Sequence, residues 1–296
     1  MERKSYLYIL TAASLWGCIG VFTKLLAAAG LSSMETVAVR SLLAVLLFGL
    51  YLFVTDRDAL KINPRHWYYF FATGVCSQLF FNWCYFSTIA NSSMSVAAVL
   101  LYTSPVFVTL MSAVFFKERL TTLKLGALAL TFGGCVLVTG LFPFGQQSLT
   151  TTTLMTGLGA GFGYAMYSIL GKFALAKYQP TTVTFYTFLF TAAFSLPISG
   201  IHRHLELLVD RRAIVGAFGV GLLCYILPNL LYTKGLQYAE AGKAAILATL
   251  EPFVAALLGI GLYHEEVTVY KLLGMAAIFA AILLLNRPAK KSSTTR

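Results

Sequence analysis

The stretch NWCYFSTIANSSMSVAAVLLYTSP at residues 82–105 recurs 147 residues later as NLLYTKGLQYAEAGKAAILATLEP at residues 229–252. At this shift, residues 82–125 share eleven identities with residues 229–272, including asparagine, proline, glutamate and lysine in the same order. A common apolar composition would not bring those rarer residue types into register. The chain is therefore predicted to contain two copies of one folding unit.

The composition indicates lipid as the solvent of this chain. Of its 296 residues, 58% are hydrophobic and 11% are charged, whereas ordinary soluble domains are about 45–50% apolar and about 25% charged. Ten apolar stretches are each long enough for a membrane-spanning helix. They lie at 5–29, 34–54, 67–88, 94–116, 123–141, 154–176, 181–200, 213–236, 242–263 and 269–286. We predict an all-α integral membrane protein of about ten transmembrane helices.

The two copies are expected to have opposite orientations in the membrane. The predicted repeats are residues 5–141 and 150–287, with a polar break at 146–153 and a basic tail at 288–296. Each repeat holds five spans, and because five is odd, the second copy enters the bilayer from the other side. Such inverted repeats recur in secondary transporters.

The net charge of +11 is explained by membrane topology, and nucleic acid is not expected as a partner. With the N-terminus inside the cell, the inner loops and ends collect 16 of the 22 Lys and Arg residues, as the positive-inside rule requires. Both termini are thus predicted to be cytoplasmic, and the short loops favour a multi-pass protein of the plasma membrane. The five cysteines show no CxxC spacing, and no metal site or cofactor is predicted.

Glu251 is the sharpest functional candidate, because it lies inside the ninth apolar stretch. A charged residue at such a depth costs about 2.5–3.5 kcal/mol on insertion scales. The equivalent position in the first copy is the neutral Ser104, so the repeat symmetry is broken there. We predict that Glu251 binds a proton or a cationic part of a solute and acts in coupling. A structural role at a helix bend is the alternative.

Two pairs of polar residues related by the repeat are also candidates for substrate binding. Asn82 corresponds to Asn229, and Tyr85 corresponds to Tyr232. An amide inside a bilayer needs partners, so both asparagines are expected to face inward. They could contact the solute, or they could join neighbouring helices.

Trp16, Gln78 and Tyr102 complete the predicted substrate site. Aromatic rings on a central cavity would suit an amphipathic or cationic solute through stacking and cation–π contact. The alternative for such rings is a place in the lipid-facing or interfacial belt.

Proline residues predict flexible points in three spans. Pro105 and Pro252 are related by the repeat, and Pro228 lies in the eighth stretch. Each removes one helical hydrogen bond. They are predicted hinges, with a plain packing kink as the alternative.

Charged residues near the span ends are expected to have structural roles. Lys24, Arg40 and Lys172 should extend to the membrane interface, although Arg40 lies deeper and could meet anionic solutes. Glu118 and Glu265 follow long apolar runs and are expected to end spans.

Four alternate glycines at 157–163 form two pairs of small residues spaced by four positions. Because no strand precedes them, they do not fit a nucleotide-binding loop. They are predicted to allow close packing between helices.

The motif LYTSP at 101–105, followed by FKERLT at 116–121, has a counterpart in LEP at 250–252 and EEVT at 265–268. Together with Trp16-Gly17, Lys24 and Arg40, these residues make the chain resemble the EamA family of the drug/metabolite transporter superfamily. The resemblance covers nearly the whole chain. It implies a ten-helix inverted-repeat fold and usually the export of a metabolite, and it leaves the solute open.

The predicted function is a secondary transporter, not an enzyme, that moves a small solute such as an amino acid or amine across the plasma membrane. Export is the expected direction, alternating access the expected mechanism, and a proton the expected coupling ion. A membrane-embedded enzyme acting on a lipid-linked substrate and a channel without coupling are the alternatives. The expected partners are the small-molecule solute and membrane lipid.

Overall fold

The computed structural model describes residues 2–140 and 150–285, and regular structure within them is helical, with no strand. The helices form ten spans, several of them built from consecutive segments. Span 1 is Glu2–Gly17 and Ile19–Ala28; span 2 is Ser33–Thr55; span 3 is Trp67–Phe71, Ala72–Leu79 and Phe80–Asn91; span 4 is Met94–Leu101 and Ser104–Phe116; span 5 is Thr122–Val138; span 6 is Thr151–Leu175; span 7 is Pro180–Ser199; span 8 is Arg211–Phe218, Gly219–Ile226 and Leu227–Tyr238; span 9 is Ala241–Ala248 and Leu250–Tyr263; and span 10 is Val269–Leu285.

The spans have the composition of membrane helices. In the described residues, spans 1, 2, 4, 7, 8 and 9 are long and apolar enough to cross a bilayer, and spans 5 and 10 are apolar helices of 17 residues each. Large apolar side chains such as Leu50, Val54 and Val114 point outward and are exposed, as lipid-facing residues should be. The prediction of an all-α membrane protein with about ten helices is confirmed. The predicted tail at 288–296 and linker residues 146–149 lie outside the described residues.

The repeat extends to the irregular points of the backbone. Spans 3 and 8 each contain a π-helical segment, Ala72–Leu79 in one and Gly219–Ile226 in the other, again 147 residues apart. Helical structure is interrupted at Tyr102 in span 4 and at the equivalent Thr249 in span 9. Irregularities that recur at one shift are features of the folding unit rather than local accidents. The prolines at 105 and 252 had predicted hinges or kinks near the interruptions of spans 4 and 9, whereas the π-helical segments were not predicted.

The ends of the fourth span in each copy match as well. Lys117 and His264, again 147 residues apart, both adopt the left-handed conformation, with φ of 55° and 52°. The side chains of Thr121 and Thr268 then accept hydrogen bonds from the amides of Lys124 and Lys271. The two copies therefore use the same turn to enter their last spans.

Helix packing follows a two-fold pattern. Spans 2 and 7, spans 4 and 9, and spans 5 and 10 are equivalent spans that pack on each other. Span 1 packs on spans 8 and 9, just as span 6 packs on spans 3 and 4. Exchanging the halves therefore reproduces the same set of neighbours. With five spans in each copy, this is the predicted inverted repeat.

The alternate glycines of span 6 allow close packing against spans 4 and 3, as predicted. A Cβ on Gly157 would lie 2.2 Å from the Leu100 side chain, and one on Gly161 would lie 2.5 Å from Thr103 Oγ1 and 2.9 Å from the Leu100 carbonyl oxygen. Gly163 in turn faces span 3, where its Cβ would lie 3.1 Å from the backbone of residue 81. Side chains at these positions would force spans 3 and 4 away from span 6.

Gly161→Ala should lower stability, since the new methyl group meets backbone and must displace span 4. Overpacking of this kind costs about 1–3 kcal/mol. The measurement is the thermal unfolding midpoint of the purified protein in detergent. Gly133→Ala is the matched control, because nothing lies within 4 Å of the added Cβ in this other helical glycine. A midpoint for Gly161→Ala equal to that of Gly133→Ala would show that the contact is not tight.

Candidate functional site

A cavity of about 470 Å³ lies between the two halves and opens at one face of the molecule. We call the face where spans 1, 3, 5, 7 and 9 begin the terminal face and the other the opposite face. The residues that line the cavity fall into a deep group and a group at its mouth. The deep group comprises Trp16, Tyr85, Tyr102 and Glu251, and the mouth group comprises Lys24, Met94, Gly140, Glu265 and Lys271. All residues of the mouth group lie at span ends on the opposite face, so the cavity opens there.

Glu251 lies on the wall of this cavity, directly after the interruption of span 9 at Thr249. It is the second residue of the segment Leu250–Tyr263, so its carboxyl group is near the positive end of a helix dipole. It forms no ion pair or hydrogen bond with any residue in the described parts of the chain. Tyr85, Tyr102 and Tyr164 lie near enough to interact with it electrostatically. The deep group of the cavity therefore presents one carboxylate among aromatic rings.

Trp16 separates the large cavity from a small chamber of about 20 Å³, and it lines both. Its ring centroid lies 5.3 Å from that of Tyr232 and 6.3 Å from that of Tyr164. Gln78 lines the chamber, as do Tyr232 and Tyr164. This volume holds about one water molecule. An aromatic layer thus lies below the deep end of the large cavity.

The two asparagines join helices and line neither cavity. Asn82 Oδ1 accepts a hydrogen bond of 2.9 Å from Arg40, and its Nδ2 donates to the carbonyl oxygen of Gln78. Asn229 Oδ1 accepts a 3.4 Å bond from Gln78 Nε2, while its Nδ2 donates to the Tyr225 carbonyl at 2.9 Å. Both side chains are buried. Of the two predicted roles, the contacts observed are those of helix cross-linking.

The expectation that Arg40 extends to the interface is wrong. Arg40 is buried, and its guanidinium carbon lies 4.7 Å from the ring centroid of Tyr225. Span 2 places it eight residues in, where it contacts Asn82 of span 3 and Tyr225 of span 8. The hydrogen bond to Asn82 and the ring of Tyr225 stabilise the charge in part, while Nε has no hydrogen-bond partner in the described residues.

The three prolines lie in the first turns of helical segments. Pro105 is the second residue of Ser104–Phe116, Pro252 the third of Leu250–Tyr263, and Pro228 the second of Leu227–Tyr238. After the interruptions of spans 4 and 9, the missing amides of Pro105 and Pro252 cost little, whereas Pro228 directly follows the π-helical segment Gly219–Ile226 within one unbroken helix. The hydroxyl groups of Thr103 and Thr249 bond to carbonyl oxygens before each break, at 2.6 Å and 2.5 Å.

A buried ionic cluster closes the terminal face. Glu118 accepts from the amides of Ala241 and Gly242 at 2.7 Å and 3.2 Å, and Lys124 and Lys172 approach it to 3.3 Å and 3.2 Å. We call these five residues the terminal lock. Burial by itself would raise the pKa of Glu118, but the amide hydrogen bonds and the two lysines outweigh it and hold the pKa below its usual value. The cluster ties both halves together.

Sequence reasoning gave Glu118 a structural role but did not anticipate its contacts with Lys172 and with the amides of Ala241 and Gly242. Lys172 was expected at the interface, and it instead donates to Glu118 and to the Ala239 carbonyl at 2.8 Å. Tyr164, which lines the small chamber, is not among the predicted site residues. The mouth residues Met94 and Glu265 were not predicted as part of a site. The 147-residue shift relates them to Ala241 and Glu118, so comparison of the two copies could have indicated them.

The chain belongs to the EamA-like transporter family, whose sequence profile matches residues 3–140 and 151–287. An uncharacterized transporter of Archaeoglobus fulgidus is 32% identical over 203 residues, which cover 69% of this chain and 71% of that protein. The uncharacterized inner membrane transporter YicL of Salmonella typhimurium is 26% identical over 296 residues, covering 98% and 97%. The predicted resemblance is confirmed.

Two further comparisons concern a named solute and the fold. The threonine/homoserine exporter RhtA of Escherichia coli is 28% identical over 217 residues, covering 72% of this chain and 69% of RhtA. A solved crystal structure at 15% identity superposes with a TM-score of 0.80 and covers 97% of both chains. At that identity, the match supports the fold alone. Together with the family, the relatives identify a membrane transporter.

Asn82→Leu should destabilise the protein, because it leaves the buried Arg40 without its only side-chain acceptor in the described residues. The double variant Asn82→Leu with Arg40→Met should be more stable than Asn82→Leu alone, since removing both partners leaves no unsatisfied charge. Thermal unfolding in detergent measures both. Asn91→Leu, at an exposed amide near the end of span 3, is the control. A double variant less stable than the single one would contradict this account of Arg40.

Proposed function

We propose that this protein is a secondary transporter that carries small ammonium-bearing metabolites, amino acids or amines, across the plasma membrane by alternating access. The observation that carries the proposal is the carboxylate of Glu251, which has no partner in the described residues and lies on a cavity whose mouth is at the opposite face. A channel would need a path through both faces, and the terminal lock obstructs one of them. The chemistry of the deep group then suggests which solute would bind.

A carboxylate surrounded by aromatic rings suits an ammonium group. Glu251 would supply the ionic partner, and the faces of Trp16, Tyr85 and Tyr102 would supply cation–π contact and exclude water. A volume of about 470 Å³ falls in the range of small-molecule sites, about 300–1,000 Å³. The relative named as a threonine/homoserine exporter supports amino acids as the first solutes to test.

Orientation and coupling form the second part of the proposal. With both termini in the cytoplasm, the cavity of this structure opens to the outside. A proton arriving from outside would compete with the ammonium group for Glu251, which would release the solute outward and couple export to proton entry. Gln78 and Tyr232, in the small chamber, would meet the solute from the terminal side.

The helix breaks would provide the movement. Pro105, Pro252 and Pro228 lie beside interrupted or π-helical segments, where rotation of one segment breaks few backbone hydrogen bonds. Asn82 and Asn229 would keep spans 2, 3 and 8 together while spans 4 and 9 bend. They thus support the site without contacting the solute.

Glu251→Gln should reduce counterflow of threonine, homoserine or a simple amine in proteoliposomes by about tenfold or more and remove its pH dependence, because the amide neither attracts ammonium nor titrates. Glu206→Gln is the matched control, since it makes the same change at an exposed loop carboxylate and should leave counterflow unaltered. Unchanged uptake with an unchanged pH response in Glu251→Gln would refute this role for Glu251.

A further inference from the structure

Every member of the terminal lock has an equivalent at the opposite face. The shift of 147 residues relates Glu118 to Glu265 and Lys124 to Lys271, and it relates the helix start at Ala241 and Gly242 to Met94 and Ser95; a shift of 148 relates Lys172 to Lys24. We call Glu265, Lys271, Lys24, Met94 and Ser95 the opposite set. Both helix starts begin eight-residue segments, Ala241–Ala248 and Met94–Leu101.

The opposite set is dispersed around the mouth of the cavity, and all five residues line it. Glu265 keeps one partner of the equivalent lock, Lys271 at 3.0 Å, and its side chain is 49% exposed, against 7% for Glu118. Lys24 Nζ lies 3.3 Å from the ring centroid of Tyr263 and bonds to no carboxylate in the described residues. Met94 is exposed. One lock is therefore assembled and its equivalent is open.

We propose that Glu265 closes the opposite face by docking on the amides of Met94 and Ser95 and pairing with Lys24, while the terminal lock opens. This inference rests on the alternating access of the proposed function, and it names the contacts that form and break. First-turn amides have no partner within their own helix and favour an anion. The Ala241 and Gly242 amides already bind a carboxylate in this way. Lys24 would leave Tyr263 to take the position that Lys172 holds.

The two sets differ in one ion pair beside the helix start. In the terminal lock Lys124 also pairs with Glu240 at 2.8 Å, and Glu240 precedes the helix start. The equivalent of Glu240 is Ser93, whose side chain accepts a hydrogen bond from the amide of Val96. The opposite set therefore lacks the second carboxylate that pairs with Lys124, and it also lacks an equivalent of Lys243, which shares Glu240 at 3.6 Å and corresponds to Val96. This asymmetry favours the state in which the terminal lock is assembled and the cavity faces the other side.

Single cysteines can report which face is open. Ala98 lines the cavity, and its repeat equivalent Ala245 is buried, with 5% exposure. None of the five native cysteines lines the cavity. In detergent, a hydrophilic maleimide should modify Ala98→Cys quickly and Ala245→Cys slowly. The parent protein without either substitution gives the background rate.

The test introduces lock variants into both reporter proteins and measures the two labelling rates. Glu118→Gln should slow labelling at Ala98→Cys and speed it at Ala245→Cys, each by about fivefold, because it weakens the assembled lock. Glu265→Gln should not slow labelling at Ala98→Cys, because the mouth stays open. The proposal would be overturned if Glu265→Gln shifted the labelling rates in the same direction as Glu118→Gln. It would also be overturned if neither variant changed either rate.

Ser93→Glu tests the same inference without weakening an existing contact. It restores the missing carboxylate beside Lys271, so it should slow labelling at Ala98→Cys and speed it at Ala245→Cys, whereas Ser93→Gln should do neither. Equal rates in the glutamate and glutamine variants would overturn the proposal even if Glu118→Gln failed to fold. Labelling needs no solute. If the variants left the labelling rates unchanged while counterflow was normal, only the proposed locks would be rejected. If the labelling rates shifted as expected but no counterflow was seen, only the proposed solutes would be rejected.

Discussion

The odd number of spans in each repeat is the constraint from which the architecture follows. Two five-span copies joined by a short connection must run in opposite directions through the bilayer, and each then packs against the inverted form of itself. Spans 2 and 7, 4 and 9, and 5 and 10 meet their own equivalents for this reason. Neither copy encloses the cavity alone, because its walls come from spans 1, 3, 4 and 5 of one half and spans 9 and 10 of the other.

The buried charged residues differ in whether the fold supplies them with partners. Glu118 has two lysines and two amides, and Arg40 has Asn82 and Tyr225, although Arg40 Nε has no hydrogen-bond partner in the described residues. Glu251 has no such partner in the described residues, and its equivalent in the first copy is Ser104. A carboxylate without a partner beside a cavity is costly for a fold to keep. The departure from symmetry at this position is therefore the strongest indication of where a solute would bind.

Sequence alone predicted the features that depend on local pattern or on internal comparison. Hydropathy gave the spans, the 147-residue shift gave the two copies, and the apolar setting of Glu251 marked it as unusual. The glycines of span 6 were recognised because their spacing of four matches one helix face. Each of these signals either lies within a single span or recurs at the fixed shift of 147 residues.

Contacts between spans distant in sequence were not predictable in the same way. Lys172 looked like an interfacial lysine because its own span ends nearby, and only the approach of spans 4, 8 and 9 gives it Glu118 as a partner. Arg40 looked interfacial because hydropathy does not reveal how deeply spans 3 and 8 cover span 2. The π-helical segments of spans 3 and 8 have no signature in apolar periodicity. Comparing the two copies at these points would have shown that the segments are equivalent, but not what they contact.

Opposite orientation of the halves is the central claim, and sidedness of labelling tests it most directly. Asp58 and Leu205 are equivalent positions, 147 residues apart, in exposed loops after the second span of each copy. In intact cells, a membrane-impermeant maleimide should label Leu205→Cys without prior permeabilisation and should label Asp58→Cys only after it. Labelling of both positions from the same side would contradict the inverted arrangement and every inference drawn from it.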